Sequence, residues 1–405
     1  MPEGWVWTRL CDITELIEDC PHSTAKDEGA GFALIRTPNV GEGHLILDGV
    51  HRVSESVYNK RNTRAIPTEG DIIYAREAPA GNAAVIRKGE LVCLGQRTVL
   101  IRPVKQFVDT KLLTYFILST NSRNRLISTA VGSTAAHVNL ETIRPFLIPL
   151  PPINEQKGIV VEIEKWLFII SSLQDSIASV NNTIQSTKKK ILDLAIHGKL
   201  VPQDPSDEPA IELLKRINPD FKPSDNLHYE GELPNGWCFS TIGDLFRHNT
   251  GKALNGKDQV GEELRYITTS NLYWDRFDLN EVRTMPFTEA EKEKCRATKG
   301  DLLVCEGGDV GRAAIWPHDF DVMIQNHIHR LRPREDISVR FYYYIFLLYK
   351  QMGLIGGKGI AILGLSSREL DKMVVPVPPV PEQHRIVTVI ENLFAQMDAL
   401  ISNLS

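Results

Sequence analysis

The stretch that decides the fold runs from Ile153 to Ala195 and reads INEQKGIVVEIEKWLFIISSLQDSIASVNNTIQSTKKKILDLA. Apolar side chains recur along it at alternating steps of three and four residues, which is the pattern of a heptad seam. No proline or glycine interrupts it after Gly158, and Gly198 stands where a helix would end. A helix of about forty residues is on the order of 60 Å long. Its narrow apolar stripe predicts a partner helix.

A second stretch of the same kind begins after Pro381 and continues through Leu404. The two stretches are predicted to pair as an antiparallel coiled coil, since this arrangement relates one half of the chain to the other. The predicted seam residues are Ile163, Trp166, Ile170, Leu173, Ile177, Ile390, Leu393, Met397 and Leu400.

Both predicted helices are entered through similar motifs, IPLPPINEQ at residues 148–156 and VPVPPVPEQ at residues 375–383. Proline is tolerated in the first turn of a helix and prevents helix upstream of it. Two long helices with matching entrances indicate that the chain is a duplication.

The segments before the two helices also repeat, at an offset of about 230 residues. The clearest anchors are Gly4-Trp5 with Gly236-Trp237, and Gly70-Asp71 with Gly300-Asp301. Both tryptophans are interpreted as core residues. Short alternating apolar runs between turn residues predict strands, and a 3.6-residue apolar period predicts one helix between Thr110 and Ile127.

The sequence therefore predicts an α+β fold in which two homologous mixed α/β domains are separated by a long antiparallel coiled-coil helix pair with pseudo-twofold symmetry. The predicted divisions are a first domain at 1–152, a central helical spacer and connector at 153–232, a second domain at 233–380 and a C-terminal spacer helix at 381–405.

Composition excludes several classes of protein. The longest apolar run, at residues 341–349, is too short to cross a membrane, and the first residues do not resemble a signal peptide. The six cysteines form no CxxC pair, which predicts reduced thiols in a cytoplasmic protein. The net charge of −5 argues weakly against nucleic acid, but the acidity is concentrated in the helical segments. Charge alone is therefore not decisive.

With these motifs in order, the chain resembles the specificity subunit of type I restriction–modification enzymes. The most specific matches are the two proline-rich helix entrances and the HGKLVPQ run at residues 197–203. The Gly-Asp strand entries and the Gly132-Ser133-Thr134 loop are weaker support. The resemblance covers essentially the whole chain.

The resemblance implies a non-catalytic subunit in which 1–152 and 233–380 are target recognition domains, each reading one half of a bipartite site in double-stranded DNA. The helices would set the spacer and dock two methyltransferase (modification) subunits, which restriction subunits then join. S-adenosylmethionine, ATP and Mg²⁺ are expected on those partners, and no cofactor on this chain. The sequence agrees, since it contains no P-loop motif, no Asn-Pro-Pro-Tyr stretch and no cysteine–histidine set with zinc spacing. No catalytic or metal-binding residue is predicted.

DNA readout requires hydrogen-bond donors at groove edges, and side chains in loops after strands are placed to supply them. For each candidate, an ordinary solvated or salt-bridged role is the alternative. Matched positions favour a shared turn-forming role for Asn39 and Asn271. The candidates are Arg36, Asn39, Arg76, Asn82, Arg97, Ser133, Thr134 and His137 in the first domain, and Thr269, Asn271, Arg312, Asn326, His327 and Lys358 in the second.

The two predicted helices differ in length, because the repeat aligns residue 405 with Ala178. Part of the first seam is therefore expected to lack a partner within the chain, and an uncovered apolar seam favours association. Another subunit, a second copy of the chain or the 198–232 connector would cover it. The residues expected to be uncovered are Val180, Ile184, Ile191 and Leu194.

Two other functions remain as alternatives. A coiled-coil scaffold would bind two proteins without DNA, and it predicts no salt-dependent DNA binding. A methyltransferase or nuclease with an unrecognised site predicts cofactor binding by the isolated chain.

Overall fold

The structure, a computed structural model, describes residues 1–128, 138–224, 232–253, 260–355 and 365–404. It divides into two compact units, unit 1 at Met1–Gln174 and unit 2 at Asp175–Ser405, and the division falls within the long helix. The four segment divisions given above remain predictions. Four candidate residues lie outside the described residues: Ser133, Thr134, His137 and Lys358.

The described part of unit 1 is built from nine short strands and the helices around them. The strands are β1 (Val6–Arg9), β2 (Thr14–Asp19), β3 (Phe32–Ile35), β4 (Arg52–Val53), β5 (Ile72–Ala75), β6 (Ala83–Val85), β7 (Val92–Leu94), β8 (Thr98–Pro103) and β9 (Leu147–Leu150). The helices are α1 (Glu55–Arg61), α2 (Thr110–Leu118), α3 (Thr120–Ser128), α4 (Leu140–Ile143) and α5 (Ile153–Ile196), with 3₁₀ turns at Leu10–Ile13 and Thr37–Asn39.

Two sheets form the centre of unit 1. The order β2-β8-β5-β6 is antiparallel throughout, and the order β4-β3-β7 contains one parallel pair, β3 with β7. The strands β5, β7 and β8 are almost fully buried, which explains why their sequences read as continuous apolar runs. A separate pair, β1 with β9, joins the start of the unit to the strand that leads into α5.

Unit 2 repeats this plan with more strands. Its strands are β10 (Cys238–Thr241), β11 (Phe246–Thr250), β12 (Glu262–Ile267), β13 (Leu272–Tyr273), β14 (Arg276–Phe277), β15 (Arg283–Phe287), β16 (Arg296–Ala297), β17 (Leu302–Cys305), β18 (Ala313–Ile315), β19 (Val322–Ile324), β20 (Ile328–Pro333) and β21 (Val374–Val377). Its helices after α5 are α6 (Ala210–Ile217), α7 (Ile242–Leu245), α8 (Glu289–Cys295), α9 (Val339–Gln351), α10 (Ser367–Asp371) and α11 (Val380–Leu404).

The sheets of unit 2 correspond to those of unit 1 in order and direction. The sheet β11-β20-β17-β18 matches β2-β8-β5-β6, and β15-β12-β19-β16 matches β4-β3-β7 with one additional strand. Again one pair, β12 with β19, is parallel, and β10 pairs with β21 just before the last helix. The predicted α+β class and the repeat of two domains are confirmed.

The predicted long helix is confirmed as α5, which has 44 residues and ends close to Gly198. Gly198 has a φ of 61°, a left-handed conformation that ends a helix at low cost in glycine. Within unit 2, the C-terminal part of α5 and the helix α11 run antiparallel. Lys188 Nζ lies 2.5 Å from Oδ1 of Asp398 near the end of α11, and Gln203 donates to Oε1 of Glu382 near its start, at 3.1 Å.

The prediction of which seam residues are uncovered holds for Val180 and is wrong for the other three. Ile184 and Ile191 are buried, Leu194 is half-buried and Val180 is exposed. The prediction placed positions equivalent by repeat opposite each other, whereas antiparallel pairing places α11 beside the C-terminal part of α5. The exposed apolar residues of α5 therefore lie mainly in its N-terminal half.

The predicted helix between Thr110 and Ile127 is two helices. Ser119 has a ψ of 140° and separates them, and its hydroxyl donates to the Phe116 carbonyl across 2.7 Å. The apolar period continues through the break, so periodicity alone does not reveal it.

Side-chain burial agrees with most of the other predictions. Trp237 is buried as predicted, whereas Trp5 is only half-buried. All six cysteines are free thiols. No helix within the described ranges is both long and apolar enough to cross a membrane.

Candidate nucleic-acid interface

Loops that follow the strands of unit 1 meet at one edge of its sheets. We call residues 36–46, 76–82 and 95–97 the first rim. Backbone hydrogen bonds join its three loops to one another and to the sheet. They run from Gly95 N to Ile35 O (2.7 Å), from Arg76 N to Arg97 O (2.9 Å) and from Gly43 N to Ala83 O (2.8 Å).

Unit 2 has the same construction, and we call residues 268–278, 306–312 and 325–327 the second rim. Its equivalent bonds run from Gln325 N to Ile267 O (3.0 Å), from Glu306 N to His327 O (2.9 Å) and from Asp275 N to Ala313 O (3.2 Å). The matching bonds show that each residue of the first rim has an equivalent residue in the second rim. All ten DNA-binding candidates within the described residues lie on the two rims.

Asn39 and Asn271 are buried and form the same turn in the two units. Asn39 Oδ1 accepts from the Arg36 amide at 3.2 Å, and Asn271 Oδ1 accepts from the Thr268 amide at 2.9 Å. Their amide nitrogens donate to carbonyls seven residues along the chain. This geometry agrees with the turn-forming interpretation given to both residues.

Arg76 is also buried, because its guanidinium is used inside unit 1. Its Nη1 lies 2.7 Å from both carboxylate oxygens of Asp19, and its Nε donates to the Val138 carbonyl at 2.8 Å. The equivalent residue in unit 2 is Glu306. No sequence pattern indicates the contact with Asp19, which lies 57 residues away on another strand.

The remaining half-buried candidates are held by rim contacts. Asn82 donates to the Val40 carbonyl at 2.9 Å and accepts from Arg123 on α3. Arg312, which takes the place of Asn82 in the second rim, donates to the Thr269 carbonyl at 2.6 Å. The remaining three are Arg36, whose Nε is buried without a hydrogen-bond partner, Thr269, whose carbonyl is the one that accepts from Arg312, and Asn326, whose backbone amide donates to the Lys252 carbonyl.

Only two of the described candidates are exposed, and they occupy equivalent positions. Arg97 in the first rim and His327 in the second each lie beside a carboxylate. Arg97 Nη1 is 2.8 Å from Glu77 Oε2, and His327 Nδ1 is 3.8 Å from Glu306 Oε2.

Two further rim residues are Tyr273, which together with Trp274 the sequence leaves open between a thymine-methyl or sugar contact and an exposed loop plug, and Arg276, which no sequence pattern singled out. The guanidinium carbons of Arg276 and Arg312 lie 4.4 Å and 5.2 Å from the centre of the Tyr273 ring, within the range of cation–π attraction. Tyr273 and Arg276 face each other across the β13–β14 hairpin. The only sequence signal was that this hairpin is aromatic in the second half and glycine-rich in the first.

Two neighbouring histidines, His248 on β11 and His329 on β20, join paired strands of unit 2. Nε2 of His248 lies 2.9 Å from Nδ1 of His329, whose Nε2 donates to the Leu365 carbonyl at 2.6 Å. Burial, with a smaller contribution from neighbouring His248, lowers the pKa of His329 to about 4. In the chain as far as it is described, no group of three or more His, Cys, Asp and Glu side chains is placed to hold a metal ion.

The N-terminal half of α5 presents an apolar surface that we call the helix patch. Its most exposed member, Phe168, is 75% exposed. Four of the predicted seam residues belong to it, while Ile390, Leu393 and Met397 pack into the core of unit 2. Ile163 is half-buried, and Leu400 is exposed on α11. The helix patch consists of Val161, Trp166, Leu167, Phe168, Ile170, Leu173 and Ile177.

Comparison with known proteins identifies the repeated unit. The profile of the type I restriction modification DNA specificity domain matches the chain twice, over residues 2–182 and 234–404. The EcoEI specificity subunit of Escherichia coli is 23% identical, over 100% of this chain and 80% of its own length. The EcoBI specificity subunit of Escherichia coli is 26% identical, but that match spans 66% of this chain and 55% of the relative.

Solved structures share the fold. The HsdS subunit from Thermoanaerobacter tengcongensis has a TM-score of 0.59 and 19% identity, with 100% of this chain and 93% of that chain covered. A chain from a study of complex assembly and conformational transition in a type I R-M system reaches a TM-score of 0.66 at 18% identity, with the same coverage. The two profile matches together take in most of the chain, which therefore belongs to the type I restriction modification DNA specificity domain family and carries two copies of that domain.

Proposed function

We propose that this protein is the DNA specificity subunit of a type I restriction–modification complex, acting in the cytoplasm, in which each unit reads one half of a bipartite site in double-stranded DNA. The observation that carries the proposal is the pair of equivalent rims within two copies of a DNA specificity domain. Family membership does not favour the alternative of a scaffold without DNA binding.

The two rims have the chemistry that this function requires but differ in their side chains. The equivalent positions that are exposed carry Arg97 and His327. Arginine matches the acceptors of guanine in the major groove, whereas an imidazole offers a single N–H to a base, so different residues at equivalent places select different bases. Two rims of like construction and unlike chemistry suit an asymmetric bipartite target.

We further propose that the helix patch docks a methyltransferase subunit. Seven large apolar side chains on one helix are costly to leave in water, and such patches mark sites of interaction. Two methyltransferase subunits with restriction subunits are the expected assembly. Self-association through the patch is the competing outcome.

In this proposal the partner subunits bind the cofactors and carry out catalysis. S-adenosylmethionine would bind to the methyltransferase subunits, and ATP and Mg²⁺ to the partner complex. This chain would select the site and position the partners on it, without a catalytic residue of its own.

The test is to co-express the chain with the methyltransferase subunit encoded beside it and to map methylated adenines by single-molecule sequencing. Modification at one split motif is the expected result. Exchange of residues 1–152 for those of a relative should then change one half-site and leave the other unchanged. A complex that forms but methylates no defined motif would overturn the DNA-reading role. Salt-independent DNA binding would count against it as well.

A further inference from the structure

The two exposed rim candidates, Arg97 and His327, share more than their place in the repeat. We propose that they are equivalent specificity-determining residues, each beside a carboxylate, and that Arg97 reads a guanine while His327 reads the N7 atom of a purine. This inference rests on the proposed DNA-reading function and assigns it to particular side chains.

The backbone establishes the equivalence. The carbonyl oxygen of Arg97 accepts a hydrogen bond of 2.9 Å from the amide of Arg76, and that of His327 accepts one of 2.9 Å from the amide of Glu306. These are the same interstrand bonds in the two units. The two residues therefore occupy the same position in their rims, although His327 does not share the positive φ of Arg97.

The carboxylate is present in both rims although its position in the sequence shifts. In the second rim it belongs to Glu306, the counterpart of Arg76, whereas in the first rim it belongs to the next residue, Glu77. Arg76 itself is buried against Asp19. A carboxylate beside the exposed donor is thus common to both rims even though the residue that supplies it is not equivalent.

The stability of the fold does not account for the first pair. The Arg97 side chain is 61% exposed, and an ion pair so exposed contributes little to folding. Arg97 also has a φ of 68°, in the left-handed region that glycine adopts freely and that, among residues with a Cβ, mainly asparagine and aspartate adopt. An unfavourable backbone conformation that supports an exposed side chain points to a functional role.

The chemistry of the first pair fits guanine. A guanidinium fork matches the O6 and N7 acceptors of guanine in the major groove, and the flexible ammonium of Lys matches that planar geometry less well. The bond to Glu77 uses Nη1, which leaves Nε and Nη2 to donate to a base. The imidazole of His327 offers a single N–H to a base, which suits the N7 of a purine.

The carboxylates are positioning residues in this arrangement. Glu77 restricts the rotamers of Arg97 before DNA arrives, which lowers the entropy lost on binding. A carboxylate also repels phosphate groups, so the adjacent donor is directed to base edges rather than to the DNA backbone. Both effects favour selectivity over affinity.

The experiment uses the full chain in its complex with the methyltransferase subunit. Methylation mapping of the wild-type complex defines the target, and competition binding then compares that target with duplexes changed at each base in turn. The variants are Arg97→Lys, Arg97→Gly, Glu77→Gln and His327→Asn. Arg97→Gly removes the side chain and accepts the positive φ, so it keeps the fold intact. Glu18→Gln breaks a pair of similar exposure in unit 1, Arg64 with Glu18 at 3.3 Å, and serves as the control.

Arg97→Lys and Arg97→Gly are expected to reduce discrimination about tenfold or more at a single base of one half-site, with the other bases unaffected. Glu77→Gln should reduce it at the same base by less, and His327→Asn should act at one base of the other half-site. Discrimination that is unchanged in both Arg97 variants, or reduced equally at every base, overturns the inference. Failure of the proposed function is a separate result, because the wild-type complex would then define no split motif.

Discussion

The indole Nε1 of Trp237 donates a hydrogen bond of 2.9 Å to Oε2 of Glu382 in the first turn of α11. The equivalent pair in unit 1 is Trp5 with Glu155 at the entrance to α5, at 3.0 Å. The neighbouring Gln383 accepts from the Ser338 amide, as Gln156 accepts from the Asp109 amide. The Glu-Gln motif that repeats in the sequence thus fastens each long helix to the globular part of its own unit.

The two tryptophan–glutamate bonds are predicted to differ in strength. Trp237→Phe should lower the free energy of unfolding of unit 2 by about 2 kcal/mol, since a buried carboxylate loses a donor. Glu382 is 1% exposed, and burial already raises the pKa of its carboxyl. Calorimetry of the full chain measures the change. Trp5→Phe is the matched control, and because its bond is exposed it should cost less than about 1 kcal/mol. Equal costs for the two variants would contradict this.

The repeated Gly-Asp motif has a structural explanation. Asp71 and Asp301 are buried at the start of equivalent strands, and each carboxylate accepts two hydrogen bonds from an arginine. In unit 2 these run from Arg332 Nε to Oδ1 at 2.8 Å and from Nη2 to Oδ2 at 2.7 Å. The bonds to Asp301 raise the pKa of Arg332.

Arg332→Ala is therefore predicted to destabilise unit 2 by roughly 3–5 kcal/mol, because it leaves a buried carboxylate without its counter-charge. Urea unfolding of the full chain provides the measurement. Lys299→Ala breaks the exposed pair of Lys299 with Asp319 and should change stability by less than about 1 kcal/mol. A loss no larger than that of the control would show that water reaches Asp301.

The histidine pair predicts a pH dependence of stability. His329 titrates near its ordinary pKa of 6.5 when unfolded and at about 4 when folded, so the unfolded chain binds more protons between these values. The contribution of neutral His329 to the free energy of unfolding is fully present above pH 6.5 and is lost as the pH falls toward 4. At pH 5 the loss is roughly 2 kcal/mol.

His329→Gln tests this directly. Glutamine can accept from His248 and donate to the Leu365 carbonyl, as neutral His329 does, but it does not titrate. The melting temperature of the variant should fall less than that of the wild type between pH 7.5 and pH 5. Parallel curves for the two proteins would assign the acid sensitivity to other groups.

Local patterns in the sequence predicted the helices and strands. The features that these patterns did not predict depend on contacts between residues far apart in the sequence. The short strands and the long helix α5 agree with their patterns, because apolar runs, turn residues and heptad spacing act over a few positions. The matched turns at Asn39 and Asn271 followed from the repeat itself. These parts of the fold depend on neighbours in sequence.

The candidate site was predictable only as a set of loops. Arg76 and Arg97 look alike in sequence, but one is buried against Asp19 and the other is exposed beside Glu77. The difference arises from which strand lies opposite each side chain. The uncovered part of α5 was likewise misplaced because its position depends on the direction in which α11 pairs with it. Neither property is encoded in local periodicity.

The helix patch supplies the last prediction. Replacement of Trp166 and Leu173 by glutamate should abolish co-purification with the methyltransferase subunit, because two charges would enter an apolar interface. The melting temperature should stay the same, since both side chains are more than half exposed. Val260→Glu is the control, because Val260 is 75% exposed and lies outside the patch. Light scattering of the isolated chain separates the two occupants. A wild-type dimer that the double variant converts to a monomer would assign the patch to a second copy, whereas a monomer in both cases, with co-purification lost only in the double variant, assigns it to the methyltransferase.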